Sequence, residues 1–202
     1  LQAILERGPT APLGDLVEVL RPQMVLGARD QQDGPGLREV AVGDIGDFGL
    51  VEHPERRLEA EADQIGRISK ARVRENDILL VAKGSIGKTG FIGTAAEDWI
   101  ASQSFVILRP RRHGPVADAA YLYRYLTSEI GQTLIHTLKA GTTVPMLQMA
   151  DIKAFPVLLP SAPEQEAVGR QVRELFAFQR RIMDLRQEGA QRQAQIWPAD
   201  II

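Results

Sequence analysis

The glycine-rich segment 82–89, with the sequence AKGSIGKT, has the residue types and spacing that come closest to a known chemistry. It fits a relaxed phosphate-binding P-loop with alanine at the first position, and it follows an apolar run at 78–82, as such a loop should. A P-loop also needs its Lys-Thr pair to open a helix whose N–H groups face the phosphates. The residues that follow, TGFIG, favour a strand, so nucleotide binding is disfavoured and stays only as an alternative. A glycine-rich turn that presents Lys83, Ser85 and Lys88 is still suited to hold a phosphate.

Other catalytic chemistry is weakly represented. The chain has no cysteine, which excludes a thiolate nucleophile and any cysteine-bearing zinc site. Its histidines, His53, His113 and His136, lack metal-ligand spacing, and Asp151 with Lys153 forms only half of a nuclease motif. The tetrapeptide of adenine-modifying methyltransferases and the Gly-x-Gly-x-x-Gly cofactor loop are both absent. We therefore predict no catalytic residue and no metal site in this chain.

The distribution of charge favours nucleic-acid binding through a local patch. Lys and Arg total 24 against 26 Asp and Glu, and this net charge of −2 excludes a uniformly basic surface. Cations nevertheless gather in the middle third of the chain, as a phosphate-backbone footprint requires. Polar loop residues able to pair with base edges lie nearby in the sequence. The predicted contacts are Arg72, Arg74, Lys83, Ser85, Lys88, Gln103, Ser104, Arg109, Thr142 and Thr143.

Short strands and helices must position these residues. Bursts of apolar residues between Gly, Pro and Asp predict strands at 78–82, 89–92, 104–108 and 154–159, with Pro156 indicating an edge strand. Helices are predicted at 117–128 and 130–139. The sequence thus predicts a mixed α/β (α+β) domain over 13–160, preceded at 1–12 by the end of a helix or a linker.

A long C-terminal helix is predicted from about 163 to 196, within an arm at 161–202. Ser161 and Glu164 form a capping box at its start, and Pro198 lies beyond its end. At 1.5 Å per residue the helix is about 50 Å long. One interpretation is an amphipathic helix folded back on the core. The narrow apolar spacing favours the other, a coiled coil with a partner helix, through Val168, Val172, Leu175, Phe178, Ile182 and Leu185.

Several of these segments, taken in order, resemble the target recognition domains of type I restriction–modification specificity subunits. The similarity begins with LGDLVEV at 13–19 and NDILLVAKGSIGK at 76–88, and continues with ASQSFVIL at 101–108 and YLYRYL at 121–126. It ends with KAGTTVPML, DIKAFPVLLP and PEQEAV within 139–168, the most specific part.

The resemblance implies a DNA-binding module without catalysis of its own. In that family a mixed α/β domain reads one half of a bipartite DNA target, and a long helix packs antiparallel against a second such helix to set the spacing. The implied partners are double-stranded DNA, an adenine methyltransferase subunit or fused domain, a restriction subunit, and a second recognition domain or second copy. S-adenosylmethionine is expected in the methyltransferase, with no cofactor in this chain.

The family's full subunits carry two recognition domains and two helices, whereas this chain has one of each. It is therefore expected to be a half-subunit that dimerises, a fragment of a longer subunit, or the recognition tail of a fused methyltransferase. The latter two are favoured by the first residue, Leu1, and by the helix-like start at 1–7. The composition also predicts a cytoplasmic protein without a membrane span. A helix-mediated interaction module that ignores DNA remains the second alternative.

Overall fold

Short strands and helices fill the chain up to residue 160, and one long helix follows them. The computed structural model describes residues 8–29, 36–60, 62–95, 97–138 and 146–196. In chain order, the strands are β1 (Thr10–Pro12), β2 (Val17–Leu20), β3 (Gly27–Arg29), β4 (Leu37–Val40), β5 (Leu50–Val51), β6 (Arg56–Ala60), β7 (Ile78–Val81), β8 (Thr89–Ile92), β9 (Trp99–Ala101), β10 (Phe105–Pro110) and β11 (Pro156–Leu158). The helices are α1 (Leu13–Leu16), α2 (Ile65–Ala71), α3 (Ala119–Thr127), α4 (Glu129–Thr137), α5 (Met149–Ala154) and α6 (Ala162–Ile196).

Strand β7 is the centre of a five-stranded sheet with the order β2-β10-β7-β8-β5. Side chains alternate between the two faces of a strand, and every residue of β7 is buried, so this strand supplies two cores. Ile78 and Leu80 point into the core shared with α3, α4 and α6. Leu79 and Val81 point into a second core on the opposite face. The apolar run predicted at 78–82 is therefore confirmed as a strand covered on both sides.

A second sheet, with the order β3-β6-β4-β9, covers that opposite face. Its outer side is closed by α2, where Leu58, Ala71 and Ile100 are buried together. The molecule therefore has helices, sheet, sheet and helix in successive layers. This arrangement confirms the mixed α/β class predicted from the sequence.

The N-terminal prediction needs a correction at residues 10–12. These residues form β1, which pairs antiparallel with β11 in a two-stranded sheet, and the backbone N–H of Leu13 donates to Phe155 O at 2.8 Å. They are thus part of the folded domain and neither linker nor helix end, whereas residues 1–7 lie outside the described part. Pro12 faces Pro156 in the register, and the edge position predicted from Pro156 is confirmed.

Helix α6 packs its first half against α3 and the five-stranded sheet. Phe176 stacks on Phe91 with ring centroids 5.2 Å apart and lies 5.5 Å from Tyr123. Gln179 accepts hydrogen bonds from the backbone N–H groups of Phe48 and Leu50. Aromatic burial and a buried amide network therefore fix this half of the helix on the domain.

Gly169 allows this close approach of helix and domain. A Cβ at this position would overlap the Asp118 carboxylate, which caps the start of α3. Only glycine fits there, so its place inside a long helix has a packing reason.

The buried face of α6 differs from the apolar seam predicted from the sequence. Among the described residues of the helix it consists of Gln165, Gly169, Val172, Phe176 and Gln179. Of the predicted seam, Val172 is buried in the domain, so its assignment to a partner-facing seam is wrong, and Val168 packs partly buried against the same core. Leu175, Phe178 and Leu185 are exposed, and Ile182 is half-buried. The helix therefore folds back on the core with one face and displays an apolar stripe on another.

Candidate nucleic-acid interface

The structure separates the predicted contacts into two groups at opposite ends of β7 and β10. These strands pair antiparallel, with Phe105 opposite Val81 and Leu108 opposite Ile78. At about 3.3 Å per residue, the two ends of β7, from 77 to 83, are about 20 Å apart. One end carries the glycine-loop surface, which we define as Arg21, Met24, Lys83, Ser85, Lys88, Gln103 and Ser104. The other end carries the arginine groove, which we define as Arg74, Arg109, Arg111, Arg112 and Arg173.

The glycine loop is the tight connection between β7 and β8. Gly84 and Gly87 have φ angles of 89° and 92°, a left-handed conformation that favours glycine. The N–H groups of Ile86, Gly87 and Lys88 donate to backbone carbonyls within and beside the loop. They are therefore not free to cradle a phosphate, and any contact from these three positions must come from side chains.

The same loop lacks the helix on which P-loop chemistry depends. Thr89 begins strand β8, which pairs antiparallel with β7. The loop is therefore not followed by the helix that a P-loop needs, and the disfavoured nucleotide-binding alternative has no support from this part of the described chain.

Backbone contacts bring two separate stretches of the chain to the glycine loop. Lys83 forms an isolated bridge with Met146, and the N–H of Leu147 donates to Ala82 O at 3.0 Å. The N–H of Ala82 donates in turn to Ser104 O at 2.9 Å. The predicted contacts Lys83, Ser85, Gln103 and Ser104 therefore share one end of the sheet. Thr142 and Thr143 lie outside the described residues.

The cations of the glycine-loop surface have no carboxylate partner among the described residues. Lys88 Nζ donates to Val42 O at 3.0 Å, and Arg21 Nη2 contacts Met146 Sδ at 3.1 Å. Lys83 is exposed, and Arg67 on α2 donates to Met24 O at 3.2 Å beside the same surface. These positive charges therefore remain available to an external anion.

Sequence reasoning missed Arg21 as a member of this surface. Arg21 follows strand β2 directly, and β10 pairs with β2 at Ile107 and Leu20. The available signal was its position immediately after a strand, the same signal that selected Arg109.

The arginine groove is a cavity of about 970 Å³. Its predicted DNA contact Arg109 already forms an ion pair within the protein. Arg109 donates from Nε and Nη2 to the Asp77 carboxylate at 2.8 and 2.7 Å, and from Nη2 to Arg72 O at 3.0 Å. Burial raises the pKa of Asp77, partly opposed by the hydrogen bonds from Arg109. Arg109 therefore holds β7 and β10 together and is not the free phosphate contact that the sequence predicted.

The remaining groove has mixed charge. Arg173 on α6 donates to both Asp118 oxygens at 3.0 and 2.7 Å, and this hydrogen bonding raises the pKa of Arg173. Glu18 and Glu75 also line the cavity. The predicted contact Arg74 is exposed here, and Arg72 lies nearby on the same side of the sheet, away from the glycine-loop surface. The structure thus groups five of the predicted contacts at one end and places these two, with Arg109, at the other.

The described residues contain neither a metal-binding cluster nor a membrane-spanning helix. Among the described residues, no three His, Cys, Asp or Glu side chains are grouped so that they could hold a metal ion. No helix in that part of the chain is both long and apolar enough to span a membrane.

Comparison with known protein families decides the class of this molecule. Residues 12–188 match the model of the type I restriction modification DNA specificity domain. The chain belongs to this family. A curated relative, the type I restriction enzyme EcoBI specificity subunit of Escherichia coli, is 29% identical over 143 residues, which are 71% of this chain and 29% of that subunit.

Solved structures show the same DNA specificity domain fold. The S subunit of a type I restriction-modification system from M. genitalium matches with a TM-score of 0.56 and 19% identity, over 89% of this chain and 41% of that one. The HsdS subunit from Thermoanaerobacter tengcongensis matches with a TM-score of 0.58 and 18% identity, over 90% and 44%. The chain therefore spans less than half the length of each of these relatives.

Proposed function

We propose that this chain is a DNA sequence-specificity module that reads one half-site of a bipartite target and positions the DNA for an adenine methyltransferase. The family match over residues 12–188 carries this proposal. The recognition unit is 13–160 together with strand β1, the arm is 161–202, and the module acts in the cytoplasm without catalysis of its own. S-adenosylmethionine belongs to the methyltransferase partner, and a restriction subunit is a further partner.

The glycine-loop surface is the DNA-contacting face in this proposal. Arg21, Lys83 and Lys88 neutralise phosphates and fix the register of the domain on the duplex. Gln103 and Ser104, at the same end, reach base edges, where each well-formed pair discriminates by about 1–3 kcal/mol. The lack of carboxylate partners for these cations within the described chain supports this choice of face.

The exposed stripe of α6, which we define as Leu175, Phe178, Ile182 and Leu185, is the arm's contact with another helix. Its spacing of three and four residues matches a coiled-coil seam. Large apolar side chains in water indicate a missing partner. That partner is a second recognition domain's helix, in the same protein or in a second copy of this chain.

The first experiment measures binding of the purified chain to random-sequence duplex DNA at about 50 and about 200 mM salt, followed by target selection from a random library. Phosphate contacts should weaken steeply between these two conditions. We expect salt-sensitive binding and enrichment of one short sequence. Salt-sensitive binding without enrichment would contradict a specificity role.

The second candidate function is that of an interaction module that binds a partner through its long helix, because the exposed stripe alone could form that contact. Under that function the chain would associate through Phe178 and its neighbours and leave DNA unbound at both salt concentrations. Repeating the DNA measurement with a methyltransferase partner separates this outcome from a domain that binds only in its complex.

A further inference from the structure

A recess of about 330 Å³ opens on the outer face of the four-stranded sheet, bordered by the 24–26 segment and the 102–104 turn. Glu39, on β4, lines it and is only 6% exposed. Its Oε2 lies 2.5 Å from Arg56 Nη1, but no described residue makes a hydrogen bond to this buried oxygen. Arg56 balances the charge of this carboxylate, but its buried oxygen has no aligned hydrogen-bond donor among the described residues, and this calls for an explanation.

The residues that line the recess with this carboxylate include polar and apolar side chains suited to contact a nucleobase. Ser102 is buried, Ser104 is half-buried and Gln103 is exposed at the rim. The amide Nε2 of Gln103 lies 3.7 Å from Met24 Sδ, a weak contact that a better acceptor can replace. Met24 is 49% exposed, and Leu26, on the same rim, is 41% exposed.

The recess has a fixed backbone and a cation at its edge. The N–H of Ser102 donates to Val40 O at 3.0 Å, which ties the 102–104 turn to β4. Val42 lines the recess and accepts the hydrogen bond from Lys88 Nζ. A bound phosphate at Lys88 would therefore bring nucleic acid to the mouth of the recess.

Resting on the proposed function, we propose that this recess reads a base that presents an exocyclic amino group in the major groove, cytosine through N4 or adenine through N6. The Glu39 carboxylate accepts from the amino group, and the Gln103 amide contacts the same base or its neighbour. A carboxylate pairs with an amino donor and repels the O6 of guanine and the O4 of thymine. Glu39 is thus assigned as a specificity-determining residue beside Gln103.

The test starts from the sequence that the full chain selects from a random duplex library. Competition binding against duplexes substituted at each position then compares the wild type with Glu39→Ala, the near-isosteric Glu39→Gln, and Gln103→Ala. Asp98→Asn is the matched control, because Asp98 pairs with Arg38 on the same sheet at 3.3 Å, outside the recess. Thermal unfolding confirms that each variant is folded.

We expect Glu39→Ala to lose a preference of about tenfold for cytosine or adenine at one position, with the other positions and the salt dependence retained. Glu39→Gln keeps an oxygen acceptor but adds an NH₂ donor, so it should weaken the discrimination against guanine and thymine at that position. Gln103→Ala should weaken the preference at that position or the next. Asp98→Asn should keep every preference. Gln103 is exposed, so its variant gives a result even where a Glu39 variant unfolds.

Two results would overturn this assignment while leaving the proposed function intact. One is a selective wild type whose preferences survive in all the recess variants. The other is an equal loss in Asp98→Asn, which would assign the effect to the sheet as a whole. A wild type that binds no DNA, either alone or with a methyltransferase partner, would instead refute the proposed function, and this assignment with it.

Discussion

The two ends of strands β7 and β10 both carry cationic side chains but use them in opposite ways. At the arginine groove, Arg109 pairs with Asp77 and Arg173 pairs with Asp118, each through two hydrogen bonds. At the glycine-loop surface, Lys88 meets only a backbone carbonyl among the described residues, and Lys83 is exposed. The difference separates charges that stabilise the fold from charges that are available to a ligand.

This difference has a simple electrostatic basis. A guanidinium and a carboxylate joined by two hydrogen bonds form a pair with no net charge, which attracts a distant phosphate only weakly. An exposed, unpaired lysine attracts a phosphate and releases its counterion, which is the main source of DNA affinity. Arg74, Arg111 and Arg112 at the groove are also in no ion pair among the described residues, but they share their cavity with Glu18 and Glu75. The glycine-loop surface is therefore the better candidate for the DNA face.

The largest expected effect comes from removing the buried partner at the arginine groove. Asp77→Ala leaves the Arg109 guanidinium, whose side chain is 15% exposed, without its carboxylate. We expect the free energy of unfolding, measured in urea, to fall by about 3–5 kcal/mol. Arg180→Gln, which breaks the more exposed pair with Glu52, should cost about 1 kcal/mol or less. Equal costs for the two variants would mean that Asp77 does not hold the strands together.

Two phenylalanines on α6 extend the same distinction from charges to apolar groups. Phe176 is 3% exposed, whereas Phe178 is 62% exposed. Phe176→Ala should lower the free energy of unfolding by about 3–5 kcal/mol, and Phe178→Ala should change it by about 0.5 kcal/mol or less. Sedimentation of the same samples should show weaker self-association only for folded Phe178→Ala. Unchanged association in that variant would remove the exposed stripe from the proposed contact.

Local patterns in the sequence were enough to predict seven elements of this fold, namely β7, β8, β10, β11, α3, α4 and α6. The all-apolar run at 78–81 and the capping residues Ser161 and Glu164 are short-range signals. Glu164 does accept the backbone N–H of Ser161 at 2.9 Å, and α6 begins one residue before the predicted start. Such signals involve residues of a single element, so they can be interpreted without knowing which elements pack together.

The site was harder to predict because pairing between distant residues decides it. Arg109 and Asp77 are 32 positions apart, and Arg173 and Asp118 are 55 apart, so nothing local marks these arginines as already bound. Glu39 was not among the predicted contacts because these were chosen for positive charge or for loop position. Its proposed role depends on its burial, which the sequence does not show. Each of these facts depends on which strands lie side by side.

The prediction of the coiled-coil seam was partly wrong for a related reason. Two faces with similar spacing interleave on α6, and the buried face includes the polar residues Gln165 and Gln179. A hydrophobicity pattern ignores glutamine, so it assigned Val172 to the wrong face. The Gln179 amide can be buried because it forms hydrogen bonds with the backbone of Phe48 and Leu50, on both sides of Gly49.

A matched pair of double variants tests the comparison of the two ends directly. Lys83→Ala with Lys88→Ala removes two cations from the glycine-loop surface, and Arg111→Ala with Arg112→Ala removes two from the arginine groove. We expect the lysine variant to bind duplex DNA about tenfold more weakly at about 50 mM salt, with the salt slope reduced by about two. The arginine variant should match the wild type within about twofold, because the DNA does not reach that end.

The pattern of loss decides where the DNA lies. Equal weakening in both variants would mean that the duplex spans the roughly 20 Å between the ends. Weakening in the arginine variant alone would place the interface at the groove and refute the choice of face. Either result would show that unpaired charge in the free chain is a poor guide to the bound surface. Loss confined to the lysine variant would instead locate the phosphate contacts beside the recess that contains Glu39.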